Sequence, residues 1–116
     1  MHELSIAQSI VEIVETRAAE CHATHVKGVR LRIGEAIGIV TDSLTFCFEM
    51  LTSLDPILAG AYLRIDIVPH RARCCHCAKE FPVVNFVTRC PLCEEWSNEV
   101  VCGTELQILE MEIESS

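Results

Sequence analysis

Two Cys-x-x-Cys motifs carry the strongest chemical signal in this sequence. The first contains Cys74 and Cys77, the second contains Cys90 and Cys93, and residues 78–89 separate them. Each motif places two thiolates on one tight turn, and two such turns can share a zinc ion in a tetrahedral shell with Zn–S distances near ~2.3 Å. Because four sulfur ligands leave no open coordination position, we expect this zinc to stabilise a small lobe and not to catalyse.

Other cysteines and one histidine lie close enough in the sequence to compete for this ion. Cys75 and His76 lie inside the first motif, and Cys102 follows the second. A filled four-cysteine shell has no free coordination position, so we expect Cys75 and His76 to be solvent-facing turn residues. Exchange of Cys75, His76 or Cys102 into the shell stays an open alternative. Cys21 and Cys47 fall in helical patterns, where a small buried hydrophobic residue is the expectation.

The composition indicates an ordered globular protein that does not bind nucleic acid. The chain has 116 residues, half of them hydrophobic, and a net charge of −8. An acidic chain without a segregated basic face repels phosphates. We find no signal peptide and no run of ~18 apolar residues, so we expect a cytoplasmic protein without a membrane span. In that reducing compartment the paired spacing favours a metal site over disulfides.

The first three residues form a second candidate metal site. The α-amine of Met1, the amide and imidazole of His2 and the amide of Glu3 can wrap one ion in fused chelate rings. Square-planar nitrogen ligation is what Cu(II) and Ni(II) prefer. The resulting neutral or anionic complex would suit the positive N-terminus of a helix. From these residues alone, a disordered chain start is the favoured interpretation.

Apolar spacing predicts two amphipathic helices. The first starts at the Ser-x-x-Gln capping box of Ser5, runs to about Cys21 and leaves residues 1–4 as a short free arm. The second starts with Thr41 or Asp42 as its cap and ends at about Ser53, before an Asp-Pro pair.

Alternating apolar residues predict three strands. The first covers 29–33 and ends at Gly34, the second covers 63–67, and the third covers 106–113. In the third strand the alternation changes phase at Ile108 and Leu109, which predicts a bulge there. The solvent side of this strand should then carry Glu110, Glu112 and Glu114.

These elements predict an α+β fold: a small mixed three-stranded sheet with two helices, plus a small four-cysteine zinc-binding lobe inserted before the last strand. The second helix is a crossover, so the first two strands should be parallel. We expect one domain formed by residues 1–73 and 103–116, and a lobe formed by residues 74–102. At least one sheet edge should be open to a partner.

Several motifs, taken together and in order, resemble the HypA/HybF family of hydrogenase maturation proteins, and the resemblance covers essentially the whole chain. They are Met-His-Glu at the start, Arg-Ile-Gly-Glu at 32–35, Ser-Leu-Thr-Phe-Cys-Phe-Glu at 43–49, the two cysteine motifs with Cys-Pro-x-Cys, and Gly-x-Glu-Leu-x-Ile at 103–108.

The resemblance implies a nickel metallochaperone with two metal sites. The family's nickel site maps onto Met1, His2 and Glu3, and its structural zinc site onto the four motif cysteines. Family members deliver nickel to the [NiFe]-hydrogenase large subunit with a HypB-like GTPase, and some serve urease and its accessory proteins. Such a protein is a monomer or homodimer, and the presence of Cys75 and His76 departs from the simplest cysteine motif.

Other functions make different predictions. A zinc-ribbon interaction module would share the cysteine motifs without nickel, but its nucleic-acid-binding form needs a basic face. A rubredoxin-like iron protein would be red and would leave the first helix unexplained. A thiol–disulfide oxidoreductase needs a Cys-x-x-Cys that opens a helix after a strand. We find no phosphate loop, Ser-His-Asp pattern or open zinc site, so we expect no enzyme activity.

Overall fold

The computed structural model describes residues 3–115, which form two α-helices, one short 3-10 helix and six strands. In chain order these are α1 (Glu3–Glu20), β1 (Ala23–Gly34), the 3-10 helix (Glu35–Ile37), α2 (Thr41–Thr52), β2 (Tyr62–Val68), β3 (Arg71–Arg73), β4 (Glu80–Pro82), β5 (Glu99–Cys102) and β6 (Leu106–Ser115). None of the helices described over 3–115 is long and apolar enough to cross a membrane.

The chain divides into two compact units. The first contains α1, β1 as far as Arg32, residues Ile39–Asp66 and β6 from Gln107. The second contains Ile33–Gly38 and Ile67–Leu106, and therefore all of the cysteine motifs.

Helix α1 starts earlier than the sequence pattern predicted. It begins at Glu3, and the carbonyl of Ser5 accepts a hydrogen bond from Ser9 Oγ at 3.1 Å within the helix. The capping box and the free arm at Glu3 and Leu4 were therefore wrong, while Met1 and His2 lie outside the described residues. An acidic Glu3 suits the positive end of the helix, and its carboxylate also accepts a 3.2 Å hydrogen bond from the Val40 N–H.

Helices α1 and α2 pack against each other in the first unit. Helix α1 buries an i, i+3/i+4 stripe, as its periodicity predicted: Ile6, Ala7, Ile10, Val11, Val14 and Ala18. Helix α2 buries Leu44, Phe48 and Thr52. The predicted caps Thr41 and Asp42 were wrong, because both lie inside α2 and Val40 is the N-cap residue without a side-chain cap.

The main sheet has the strand order β2-β1-β6. Residue numbers rise together along β1 and β2, since Arg30 pairs with Asp66 and a Cβ on Gly28 would overlap the Tyr62 ring. They run oppositely along β6, where Thr24 Oγ1 donates to the carbonyl of Glu114 and the Gly34 N–H donates to that of Glu105. The sheet is therefore mixed, and the α+β fold class is confirmed.

Strand β1 begins at Ala23, six residues before the predicted start. Gly28 interrupts the apolar alternation, and a glycine inside a strand commonly marks a close approach by another group. Here the Tyr62 ring lies against Gly28, and its hydroxyl donates a 2.8 Å hydrogen bond to Glu112 of β6. The glycine that hid the first half of β1 thus lets a side chain of β2 reach across the central strand.

The glutamates predicted on the solvent side of β6 pair with groups of β1 and β2. Glu110 lies 3.5 Å from Arg30, and Glu114 lies 3.2 Å from Lys27. The half-buried residues of β6, Ile108, Met111 and Ile113, show the phase change expected from the sequence. The bulge itself stays a prediction.

The second unit contains a three-stranded antiparallel sheet that the sequence did not predict. Its order is β4-β3-β5, and Ala72 at its centre pairs with Phe81 and Val100. Strands of three or four residues are too short to show a periodic pattern. A small core joins this sheet to the cysteines and consists of Ala72, Cys74, Phe81, Val83 and Cys90, with Cys77 and Cys93 packed against it.

Candidate metal centre

The four motif cysteines form one group in the second unit. Their sulfur atoms all lie within 4.8 Å of one another, with Cys74 Sγ 3.2 Å from Cys93 Sγ and Cys77 Sγ 3.8 Å from Cys90 Sγ. A tetrahedral zinc with Zn–S distances of ~2.3 Å has sulfur–sulfur edges of ~3.8 Å. The sulfur positions therefore fit a four-thiolate zinc centre.

The two motifs fold as equivalent turns. In the first, the Cys74 N–H donates to the Lys79 carbonyl and the Ala78 N–H donates to the Cys74 carbonyl, both at 2.9 Å. In the second, the Cys90 N–H bonds the Glu95 carbonyl and the Glu94 N–H bonds the Cys90 carbonyl with the same 2.9 Å lengths. The same local hydrogen bonding therefore presents both pairs of sulfur atoms.

Each turn closes with a non-glycine residue in the left-handed region. Ala78 has φ 64° and Glu94 has φ 63°. This conformation is unfavourable for both side chains, so the surrounding turn must stabilise it. A shared ion on the two turns would supply that stabilisation.

Backbone N–H groups favour the thiolate form of two of the four cysteines, Cys74 and Cys90. The Cys77 N–H points at the sulfur of Cys74 from 3.4 Å and helps to lower the pKa of that thiol to about 6. The Cys93 N–H lowers the pKa of Cys90 in the same way. The Glu95 N–H lowers the pKa of Cys93, but the neighbouring sulfurs and burial outweigh it and raise that pKa to about 12. Four crowded sulfurs resist full ionisation unless a cation lies between them.

The second sheet and one serine position the two turns. Strand β3 leads directly into Cys74, and the Arg73 guanidinium lies 3.3 Å from Glu80 and 3.1 Å from Glu99 on the two flanking strands. The buried Ser97 hydroxyl donates to the Arg73 carbonyl and accepts from the Glu99 N–H at 3.1 Å. Sequence reasoning missed Ser97, because a single serine in a loop carries no pattern.

The competing cysteines lie outside this group. The sulfur of Cys75 lies 3.7 Å from the Trp96 carbonyl, and that of Cys102 lies 3.2 Å from the Pro69 carbonyl. Cys75 is exposed, as expected. The prediction that Cys21 is buried was wrong: it is exposed, because α1 ends at Glu20 and Cys21 lies in the following turn.

The N-terminal candidate site falls mostly outside the described residues. Met1 and His2 are not described, and Glu3 is the first residue of α1. The ligand roles of Met1, His2 and Glu3 therefore stay predictions.

Two of the motifs quoted for the family resemblance meet in the second unit. The Gly34 N–H donates to the Glu105 carbonyl at 2.7 Å, and the Ala36 N–H donates to the Gly103 carbonyl at 2.9 Å. Beside them, the His70 N–H donates to Glu35 Oε1 at 3.1 Å. Nothing in the local sequence indicated that the two motifs meet, because they are about seventy residues apart.

Comparisons with known proteins point to one family. The family model described as "HypA: Hydrogenase/urease nickel incorporation, metallochaperone" matches residues 1–113. The chain is 46% identical to a hydrogenase maturation factor HypA of Geobacter metallireducens and 42% identical to one of Geobacter sulfurreducens, over 98% of this chain and all of each relative. The solution structure of the Ni metallochaperone HypA from Helicobacter pylori shares the fold over both full lengths, with a TM-score of 0.70 at 23% identity. With a family match of this extent, the chain belongs to the HypA family of nickel-incorporation metallochaperones for hydrogenase maturation.

Proposed function

We propose that this protein carries Ni(II) as cargo on Met1, His2 and Glu3 and holds one resident zinc ion on its four motif cysteines. The observation that carries the proposal is the closed four-sulfur group, with all sulfurs within 4.8 Å of one another. A filled tetrahedral shell has no position for a passing ion. A nickel metallochaperone with such a centre therefore needs a second ligand set.

The zinc role follows from the chemistry of the sulfur donors. Thiolates suit zinc, and its two positive charges would offset the neighbouring Cys74 sulfur and the burial that raise the pKa of Cys93 to about 12. Cys74 and Cys90 are only 1% exposed, and both belong to the core of the second unit. Zinc bound there would stabilise this unit directly, because ligands so gathered do not exist in the unfolded chain.

The nickel role follows from the nitrogen donors at the chain start. An α-amine, backbone amides and the His2 imidazole provide the planar nitrogen set that Ni(II) prefers. Glu3 opens α1, so a neutral or anionic complex there would lie at the positive end of the helix. Protonation of His2 competes with the metal near the usual imidazole pKa of ~6.5, so nickel should be released as pH falls through that value.

The cargo would be delivered to an enzyme precursor by contact with partner proteins. The relatives are named hydrogenase maturation factors, which supports hydrogenase as the recipient. The partners in this proposal are the [NiFe]-hydrogenase large subunit and a HypB-like GTPase. The family description also includes urease, which makes urease maturation the second candidate. In this proposal the protein is not an enzyme and works in the cytoplasm as a monomer or homodimer, with residues 1–73 and 103–116 for nickel and 74–102 for zinc.

Equilibrium dialysis against Ni(II) tests the nickel site. We expect one nickel per chain at about pH 7.5, where the imidazole is neutral, and loss of nickel in His2→Ala and in a variant with one residue added before Met1, because both break the chelate. The matched control is His22→Ala, which removes an exposed imidazole elsewhere and should leave binding unchanged. Stoichiometric binding in His2→Ala would mean that the cargo site lies elsewhere. Absence of nickel binding in the wild type would favour a zinc-ribbon module without nickel function.

Metal analysis of the purified protein tests the zinc site. We expect one tightly held zinc per chain, with loss of metal in Cys77→Ser and retention in Cys75→Ser. The pair is well matched, since the two cysteines are two positions apart in one turn. Equal zinc content in both variants would contradict the proposed ligand set.

A further inference from the structure

Helix α2 exposes a row of large apolar side chains that its packing does not explain. Phe46 is 64% exposed and Met50 is 53% exposed, and the two lie four residues apart on the same face. Ser53, the C-cap residue of α2, keeps helical dihedral angles, and Leu54 in the turn after it is 95% exposed. We call Phe46, Met50 and Leu54 the α2 stripe. Apolar rows of this length are typical of surfaces that bind a partner.

The charged residues around the α2 stripe in the sequence are exclusively acidic. From Ile33 to Leu63 the chain contains no lysine, arginine or histidine, and its charged residues are Glu35, Asp42, Glu49 and Asp55. Asp42 lies one turn before Phe46 and is exposed, as is Glu49, three residues after Phe46. Positively charged groups on a partner would therefore complement the two carboxylates next to Phe46.

A shallow cleft lies beside the stripe within the same unit. Its volume is about 470 Å³, and it lies between the end of α2 and the start of β2. Glu49 and Ser53 line one side, and Tyr62, 48% exposed, lines the other. The three stripe residues do not line this cleft, but Glu49 belongs both to the cleft and to the acidic surroundings of the stripe. The cleft thus adds an aromatic side chain, Tyr62, near the stripe.

We propose that the α2 stripe, with Asp42 and Glu49, is a docking surface for a basic amphipathic helix of a partner protein. The apolar face of that helix covers Phe46, Met50 and Leu54, and its lysines or arginines face the two carboxylates. Apolar anchors supply affinity in such interfaces, and flanking charges select the partner. This inference concerns α2 alone and does not depend on where nickel binds.

Charge argues against the two other occupants of this surface. In a pair of copies joined through the stripe, the carboxylates of Asp42 and Glu49 would approach those of the second copy, with no basic residue between Ile33 and Leu63 to offset them. The cytoplasmic face of a membrane is anionic and would repel the same carboxylates.

Fluorescence anisotropy with a labelled synthetic peptide tests the proposal on the zinc-loaded full chain. The probe is two repeats of Leu-Lys-Lys-Leu-Leu-Lys-Lys, and the matched peptides carry Glu for Lys or a scrambled order without an apolar face. We expect binding of the amphipathic basic peptide alone, weakened about tenfold in Phe46→Ser and in Met50→Ser. Glu49→Gln should weaken binding several-fold and flatten its salt dependence.

Control substitutions in the second unit distinguish binding at the α2 stripe from non-specific binding of the peptide. Leu92 is 68% exposed, so Leu92→Ser removes a comparable apolar side chain, and Glu94→Gln removes an exposed carboxylate. Both should leave peptide affinity within about twofold. Equal losses in Leu92→Ser and Phe46→Ser, or equal binding of the scrambled peptide, would overturn the proposal.

Two further measurements decide between occupants. Sedimentation of the wild type should show no self-association that Phe46→Ser abolishes, and vesicles of phosphatidylcholine with phosphatidylserine should not bind through the stripe. A dimer lost in Phe46→Ser, or vesicle binding lost in that variant, would replace the proposed partner with a second copy or a membrane. Circular dichroism of each variant should show that these exposed substitutions leave the fold unchanged.

Discussion

Replacing Gly34 by alanine should be among the most destabilising single changes in this chain. The dihedral angles of Gly34, φ −72° and ψ 142°, suit any residue, so backbone strain is not the reason. A Cβ at this position would overlap the carbonyl of Gly103 and the amide nitrogen of Thr104. All of these atoms belong to backbone, which cannot rotate away as the end of a side chain would.

The expected cost follows from the contacts that must open. Relieving the overlap separates the two chain segments, which lengthens the Gly34-to-Glu105 and Ala36-to-Gly103 hydrogen bonds of 2.7 and 2.9 Å. Overpacking costs roughly 1–3 kcal/mol, and each lost bond costs about 1 kcal/mol. We therefore expect about 3–5 kcal/mol less free energy of unfolding, a large part of the ~5–15 kcal/mol typical of a domain.

The matched control is Gly38→Ala, where the added Cβ has space but the backbone dihedral angles are unfavourable. A Cβ on Gly38 would meet nothing within 4 Å, but its φ of 72° is unfavourable for alanine. The left-handed conformation costs about 1–2 kcal/mol. At about 4 °C per kcal/mol, the melting temperature should fall by ~4–8 °C in this control and by ~12–20 °C in Gly34→Ala.

Thermal unfolding followed by two signals measures the difference. Circular dichroism in the far ultraviolet reports α1 and α2 in the first unit, and the fluorescence of Trp96, the single tryptophan, reports the second unit that contains Gly34. If Gly34→Ala lowers the melting temperature no more than Gly38→Ala by either signal, the close approach of the two backbones is refuted.

Three further predictions follow from charges and ligands. Desolvation and, next, the nearby Asp55 raise the pKa of Glu15 above 4.5, so the ionised form of Glu15 destabilises the fold. Glu15→Gln should therefore raise the free energy of unfolding in urea by a few tenths of a kcal/mol near pH 7. A gain that persists below about pH 4 would contradict this assignment. Arg30 Nη2 and Nε lie 2.7 and 2.8 Å from the Asp66 carboxylate, so Asp66→Asn should lower the unfolding midpoint in urea at low salt and lower it less at about 1 M NaCl. An effect independent of salt would exclude an electrostatic origin. Cys90→Ser should remove the zinc and lower the unfolding midpoint measured by Trp96 fluorescence more than the midpoint measured by far-ultraviolet circular dichroism. Equal shifts in the two midpoints would mean that the metal stabilises both units alike.

Local sequence patterns were sufficient for most of the two helices and for the group of four cysteine sulfurs. The apolar stripe of α1 was readable because its burial repeats with the helical period, and β2 because its residues alternate. The spacing of Cys74, Cys77, Cys90 and Cys93 predicted a shared centre, since each turn is closed by hydrogen bonds between near neighbours in the chain. These features depend on local contacts, so the sequence alone determined them.

Tertiary contacts decided the features that no local pattern carries. The start of α1 at Glu3 includes a bond to Val40, and the hidden first half of β1 has Gly28 against Tyr62, a residue from another strand. The second sheet is built from strands too short to show a period and is held by pairing across the lobe. The meeting of Gly34 with Gly103 depends on chain segments about seventy residues apart. The sequence determined which element each segment can form. Only the fold determined which segments come so close that alanine in place of glycine would not fit between them.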